Sequence, residues 1–188
     1  KPFSFLDLGC SGGQLVVDIL NLNPNENISI GLEGSDYSAI RKRDNWSTHY
    51  NKNLFTCDIT EPFKILNDDK LMKFDIISSW EVMEHLPSDK LDNVFQNIYN
   101  HLSDDGIYAC SINVGSDRPN GVELHLTREK PPFWEEVFDR NGFKMVGGGG
   151  NWGEGVGDKK YSHHYMFEYR ARGNSKNGCS FWTTIVKK

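Results

Sequence analysis

Apolar and polar positions along this chain alternate between two periods, and each change of period marks an element. Phe3, Phe5, Leu6 and Leu8 form a short apolar run that predicts a buried strand, followed by glycines at 9, 12 and 13 and then a helix. A second apolar run over 28–33 predicts strand two. The stretch 36–50 reads as one helix with Ser35 or Asp36 as N-cap. Short strands are predicted over 53–57 and 74–79. In 88–102 the spacing of Leu91, Val94, Phe95, Ile98, Tyr99 and Leu102 puts one apolar face on a helix, which Asp104, Asp105 and Gly106 end. Strand five is predicted over 106–113. Pro131 and Pro132 suit the first turn of a helix running to Arg140. Apolar runs over 143–146 and 181–186 close the pattern. The glycine-rich segment 147–157 reads as a mobile loop near a site, and 161–170 as an unplaced extra strand or short helix.

Strands alternating with helices imply a mostly parallel sheet covered on both faces. No helix-length amphipathic segment separates the last two strands, which predicts an antiparallel edge hairpin. At 188 residues the chain is one domain with a single sizeable core. No apolar run approaches the roughly 18–20 residues that span a bilayer, and the start has no signal-peptide pattern. Membrane partners are therefore not expected. Four cysteines, at 10, 57, 110 and 179, form no Cys-x-x-Cys pair, which argues against a zinc ribbon or disulfide scaffold and predicts a cytoplasmic location. A net charge of −5 and short basic clusters favour a small-molecule partner over a dedicated nucleic-acid surface.

The candidate chemistry starts at the first turn. A strand, a glycine loop and a helix let backbone approach a ligand closely and aim free helix N–H groups at polar atoms. A dinucleotide fingerprint needs Gly-x-Gly-x-x-Gly, and positions 11 and 14 are Ser and Gln. The pattern Asp7-x-Gly9-x-x-Gly12-Gly13 instead resembles the first motif of class I S-adenosylmethionine-dependent methyltransferases. Three further strand ends fit in order: Glu33, then Asp58, then Ser79 and Trp80, so the resemblance covers residues 3 to about 113.

That resemblance implies a Rossmann-like, doubly wound seven-stranded sheet over 1–188, lacking an N-terminal helical segment. It implies S-adenosylmethionine as cofactor. Asp7 and the backbone of Gly9, Cys10, Ser11, Gly12 and Gly13 would hold the amino-acid end. Glu33, beside Gly34, would accept both ribose hydroxyls. Asp58 would face the adenine amino group with Ile59 on the ring, and Ser79 and Trp80 would line methionine and adenosine.

Glu81-Val-Met-Glu84-His85-Leu resembles the fourth-strand motif of small-molecule methyltransferases. His85 is the candidate base, because imidazole exchanges protons near neutral pH; positioning of the acceptor by proximity alone is the alternative. His125, before Phe133 and Trp134, resembles a histidine that enters the acceptor pocket. The leading expectation is transfer to a small-molecule hydroxyl, sugar-like or phenolic, without a metal. Glu81, Glu84, His85 and His125 also resemble the ligands of metal-dependent small-RNA 2′-O-methyltransferases, although the richer histidine segment and basic surface of those enzymes are missing here. Metal-assisted RNA methylation, or a silent cofactor-binding module, is the competing expectation. Trp134 and Phe138 are expected in the core. Trp152 is expected on the glycine-rich loop, and His163 and His164 lack partner spacing for zinc. Nothing in the sequence sets an oligomeric state.

Overall fold

The computed structural model describes residues 2–151 and 181–187. Strand β1 (Ser4–Leu8) is buried on both faces and lies near the middle of the sheet, which is why its sequence is almost unbroken apolar. From β1 the chain passes through helix α1 (Gln14–Leu22) to β2 (Ile28–Glu33) and on to β3 (Leu54–Thr56), each parallel to the last. It then crosses back to place β6 (Phe74–Trp80) on the other side of β1, and β7 (Leu102–Asn113) beside β6. Five strands thus lie parallel in the order β3-β2-β1-β6-β7. An antiparallel pair continues the sheet, β9 (Phe181–Lys187) on β7 and β8 (Lys144–Asn151) on β9.

The larger core lies on one face, where α4 (Leu91–His101) and α5 (Pro131–Arg140) bury Phe95, Ile98, Trp134 and Phe138 against Leu6, Leu8, Ile77 and Tyr108. Trp134 and Phe138 are core residues, as expected. A smaller core of Cys10, Val16, Trp46 and Leu54 forms under the glycine turn. Gly31 makes that packing possible: a Cβ there would lie 2.8 Å from Cys10 and from Val16.

The predicted helix over 36–50 is two short ones, α2 (Tyr37–Ile40) and α3 (Trp46–His49). Lys42 and Asp44 between them take φ values of 50° and 46°. The run Arg41–Asn45 has no apolar residue to bind it to the core. The break lets Trp46 dive under the glycine turn, where it is 1% exposed and its indole nitrogen donates to the Ser11 carbonyl at 2.7 Å.

The helix predicted from 88 begins as a 3-10 turn (Ser88–Lys90) behind Pro87, and β7 starts directly at Leu102. Register then jumps from Phe74 opposite Leu102 to Ile76 opposite Ile107, so Asp104, Asp105 and Gly106 form a bulge within the strand. The sequence reading missed a hairpin of β4 (Leu66–Asn67) and β5 (Lys70–Leu71), whose turn residues Asp68 and Asp69 both have positive φ. Residues 147–151 of the expected mobile loop are strand instead, paired in β8 with β9. A ladder is built from backbone groups, which glycine supplies like any residue. The rest of that loop with Trp152, the stretch 161–170 with His163 and His164, and Cys179 lie outside the described residues. Among the described residues no helix is long and apolar enough to cross a membrane.

Candidate active site

Strand order reverses between β1 and β6, and in open α/β sheets the crevice at such a point takes the ligand. The predicted residues of the glycine turn, Glu33 and Trp80 all stand at this edge. Gly9 (φ 76°) turns the chain so sharply that its own N–H and that of Cys10 both donate to the Leu32 carbonyl, at 2.8 and 3.0 Å. A Cβ on Gly9 would strike Val82, one on Gly12 the Asp44 carboxylate, and one on Gly13 (φ 77°) the Leu54 side chain. Burial, reinforced by the Asp7 and Glu33 carboxylates, pushes the Cys10 thiol far above its ordinary range, so it is an inert packing group.

Asp7 is 4% exposed, and its Oδ1 accepts from Ser78 Oγ at 2.6 Å. Burial raises its carboxyl to about 7 against the pull of that hydrogen bond, with a further push from the Glu33 carboxylate. No cation among the described residues pairs with it. A ligand bearing ammonium and sulfonium charge fits such an anion. Glu33 is half-buried, and one carboxylate oxygen accepts from the Ser11 N–H at 2.8 Å. Sequence reasoning did not foresee that bond, which ties the acid to the glycine turn.

The remaining predicted cofactor residues divide. Asp58 is exposed, and Oδ1 accepts from the Thr60 hydroxyl at 2.7 Å and the Thr60 N–H at 2.9 Å, which hold its carboxyl below the usual range. Gly34 is exposed and faces open space. Ile59 is 5% exposed within the larger core. Ser79 is fully buried, its hydroxyl bonded to Tyr108 at 2.6 Å, whereas Trp80 is 36% exposed at the strand end.

Beyond β6 the chain brings Glu81, Glu84, His85 and His125 together. Glu81 takes φ 55° and donates its N–H to the hydroxyl and carbonyl of Ser111 in β7. A 3-10 turn (Met83–His85) follows, with Met83 buried as its anchor. Val82 borders this cluster on Gly9, so the two halves of the site adjoin. Glu84 is completely buried: Oε1 accepts from the Asn113 N–H at 3.0 Å, and Oε2 has no partner among the described residues. Burial, then the adjacent Glu81 carboxylate, raises Glu84 to about 8. Burial also raises Glu81, whose Oε1 is likewise buried without a partner among the described residues.

The two imidazoles meet edge to face, centroids 4.7 Å apart. His85 Nδ1 lies 3.1 Å from the Leu124 carbonyl and His125 Nδ1 2.8 Å from the Gly115 carbonyl. A carbonyl only accepts, so each Nδ1 carries a proton directed at its carbonyl. One potential ligand atom each from Glu84, His85 and His125 lies within 4.8 Å of the others, so among the described residues these three could hold a cation. Ser78, Asn113 and Glu123 escaped the sequence reading because strand pairing and loop closure, not spacing, bring them here.

The family description of a methyltransferase domain matches residues 6–108. The fold is similar to that of a TehB-like SAM-dependent methyltransferase from Corynebacterium glutamicum: 16% identity, 99% of this chain and 80% of that one, TM-score 0.62. It is also similar to an S-adenosylmethionine-dependent methyltransferase from Clostridium acetobutylicum, at 18% identity over 98% and 83% of the two chains, TM-score 0.63. The mitomycin 7-O-methyltransferase matches at 12% identity over 99% of this chain and 49% of its own, TM-score 0.61. Comparison with curated proteins finds no match. A glycine turn at the switch point, a buried acid beside it and a family match across both therefore converge: the chain belongs to the class I S-adenosylmethionine-dependent methyltransferases.

Proposed function

We propose that this methyltransferase acts on a small-molecule hydroxyl, sugar-like or phenolic, in the cytosol, where the free thiols of Cys10, Cys57 and Cys110 are stable. The reading includes the full seven-stranded sheet of the family. Bound S-adenosylmethionine supplies a methyl group on a sulfonium sulfur, an electrophile that needs no further activation. The chain's own work is to hold, orient and deprotonate. Asp7 offers a buried charge to the cationic end, Glu33 an acceptor to paired hydroxyls, and Asp58 its second oxygen to an amino group.

The observation that carries the hydroxyl reading is the imidazole pair. A hydroxyl must lose its proton as it attacks, and His85 and His125, each fixed through Nδ1, leave their Nε2 atoms as candidate acceptors. A positioned base is worth about 10²–10⁴-fold and alignment up to about 7–11 kcal/mol. The test is transfer of labelled methyl to a panel of sugars, phenols, diols and short RNAs, with magnesium or manganese and with chelator. Labelling of a small hydroxyl compound in both conditions is the expected result; labelling confined to amines overturns it.

The second reading, metal-assisted methylation of an RNA 2′-hydroxyl, is favoured by one observation: Glu84, whose Oε2 is buried and unpartnered among the described residues, has a carboxylate oxygen within 4.8 Å of a ligand atom of His85 and of His125. It predicts RNA labelling that chelator abolishes.

A further inference from the structure

Both imidazoles are fixed by carbonyls of one loop, and that loop is closed on a single carboxylate. Glu123 Oε1 accepts from the N–H of Asp117 at 3.0 Å and of His125 at 3.2 Å. Its Oε2 accepts from Ser116 Oγ at 2.6 Å, Arg118 Nε at 2.9 Å and Arg128 Nη1 at 3.4 Å. Five donors from both arms of the loop therefore converge on one side chain. Its neighbour Leu124 donates to the Asp117 carbonyl at 2.8 Å and presents the carbonyl that fixes His85. Gly115, whose carbonyl fixes His125, also receives Arg128 Nε at 3.2 Å. Thr127 fastens the far end to the Glu84 and Leu86 carbonyls.

We infer that Glu123 is a positioning residue: it closes the 115–128 loop so that the Gly115 and Leu124 carbonyls hold His125 and His85 in one tautomer and one orientation. The consequence for the reaction rests on the proposed role of the imidazole pair. The carboxylate does two separable things. Oε1 orders the backbone that carries His125, and Oε2 gathers two guanidinium groups. Only the first is needed to aim the rings.

The test compares Glu123→Gln, Glu123→Ala and Glu123→Asp. Gln keeps an oxygen for the two N–H groups; Ala removes it; Asp keeps the charge on a side chain too short to reach both arms. The Nδ1–H proton signals of the two rings, identified by their loss in His85→Asn and His125→Asn, are read by NMR without acceptor. They persist in Glu123→Gln and disappear into solvent exchange in Glu123→Ala and Glu123→Asp. In turnover, Ala and Asp lower kcat about 10- to 100-fold and Gln about threefold or less, with cofactor affinity within about twofold throughout, as misaimed groups rather than lost binding require. Parent-like ring signals in both Ala and Asp overturn the inference, and so does Gln as damaged as Ala. If the parent methylates no hydroxyl, the functional reading falls while the ring signals still decide the role of Glu123.

Discussion

A buried acid with no cation beside it among the described residues costs the protein stability. Asp7 is protonated in the fold up to about pH 7 but only up to 3.8 when unfolded. Between those values the native state binds more protons, so its stability falls as pH rises, by about 4 kcal/mol across the window. Asp7→Asn keeps an oxygen for the Ser78 hydroxyl and sheds the charge. Denaturation at pH 5 and pH 8 should show the variant gaining about 2–4 kcal/mol over the parent at pH 8 and much less at pH 5, while calorimetry shows weaker S-adenosylmethionine binding. A gain that shrinks with rising pH contradicts the assignment. Glu33→Ala should weaken cofactor affinity by about 1.5–3 kcal/mol, the value of a charged acceptor, and also release the Ser11 N–H. Unchanged affinity removes Glu33 from the ribose.

Elements transmit these effects because the site is built on their ends. Gly31→Ala puts a methyl 2.8 Å from Cys10 and Val16 and should cost about 1–3 kcal/mol by thermal melt, with weaker cofactor binding. Gly34→Ala, in open space, should be neutral in the same melt. The strand ends were legible in sequence because period and punctuation coincide there: β2 (Ile28–Glu33) and α5 (Pro131–Arg140) fall where apolar runs and Pro131 place them. The split of 36–50 was not legible, since Trp46 looks like any apolar helix position until the glycine turn lies above it. Glu81, Glu84 and His85 announced themselves by spacing; their meeting with His125 depends on a loop whose closure by Glu123 leaves no periodic trace.

At the scale of the whole molecule, β9 is the hinge of the sheet's antiparallel side, pairing with both β7 and β8. Ending the chain before residue 181 strips a ladder from each and leaves β7, the strand that holds Glu81 and Glu84 through Ser111 and Asn113, as a bare edge. The shortened protein should self-associate in size-exclusion chromatography and lose turnover; a monomer of parent activity contradicts this. The segment that carries Asn45 and Trp46 has a different significance. The Asn45 N–H grips the Gly12 carbonyl, its side-chain amide the Gln14 side chain and the Trp46 indole the Ser11 carbonyl, so the segment acts as a ruler set against the glycine turn. A lineage starting from this sequence is free to lengthen or shorten the exposed hairpin around Asp68 and Asp69. One residue added or removed between Arg43 and Trp46 moves every mark on that ruler, so this short stretch, which touches no reacting atom, should be the most length-intolerant connection in the enzyme.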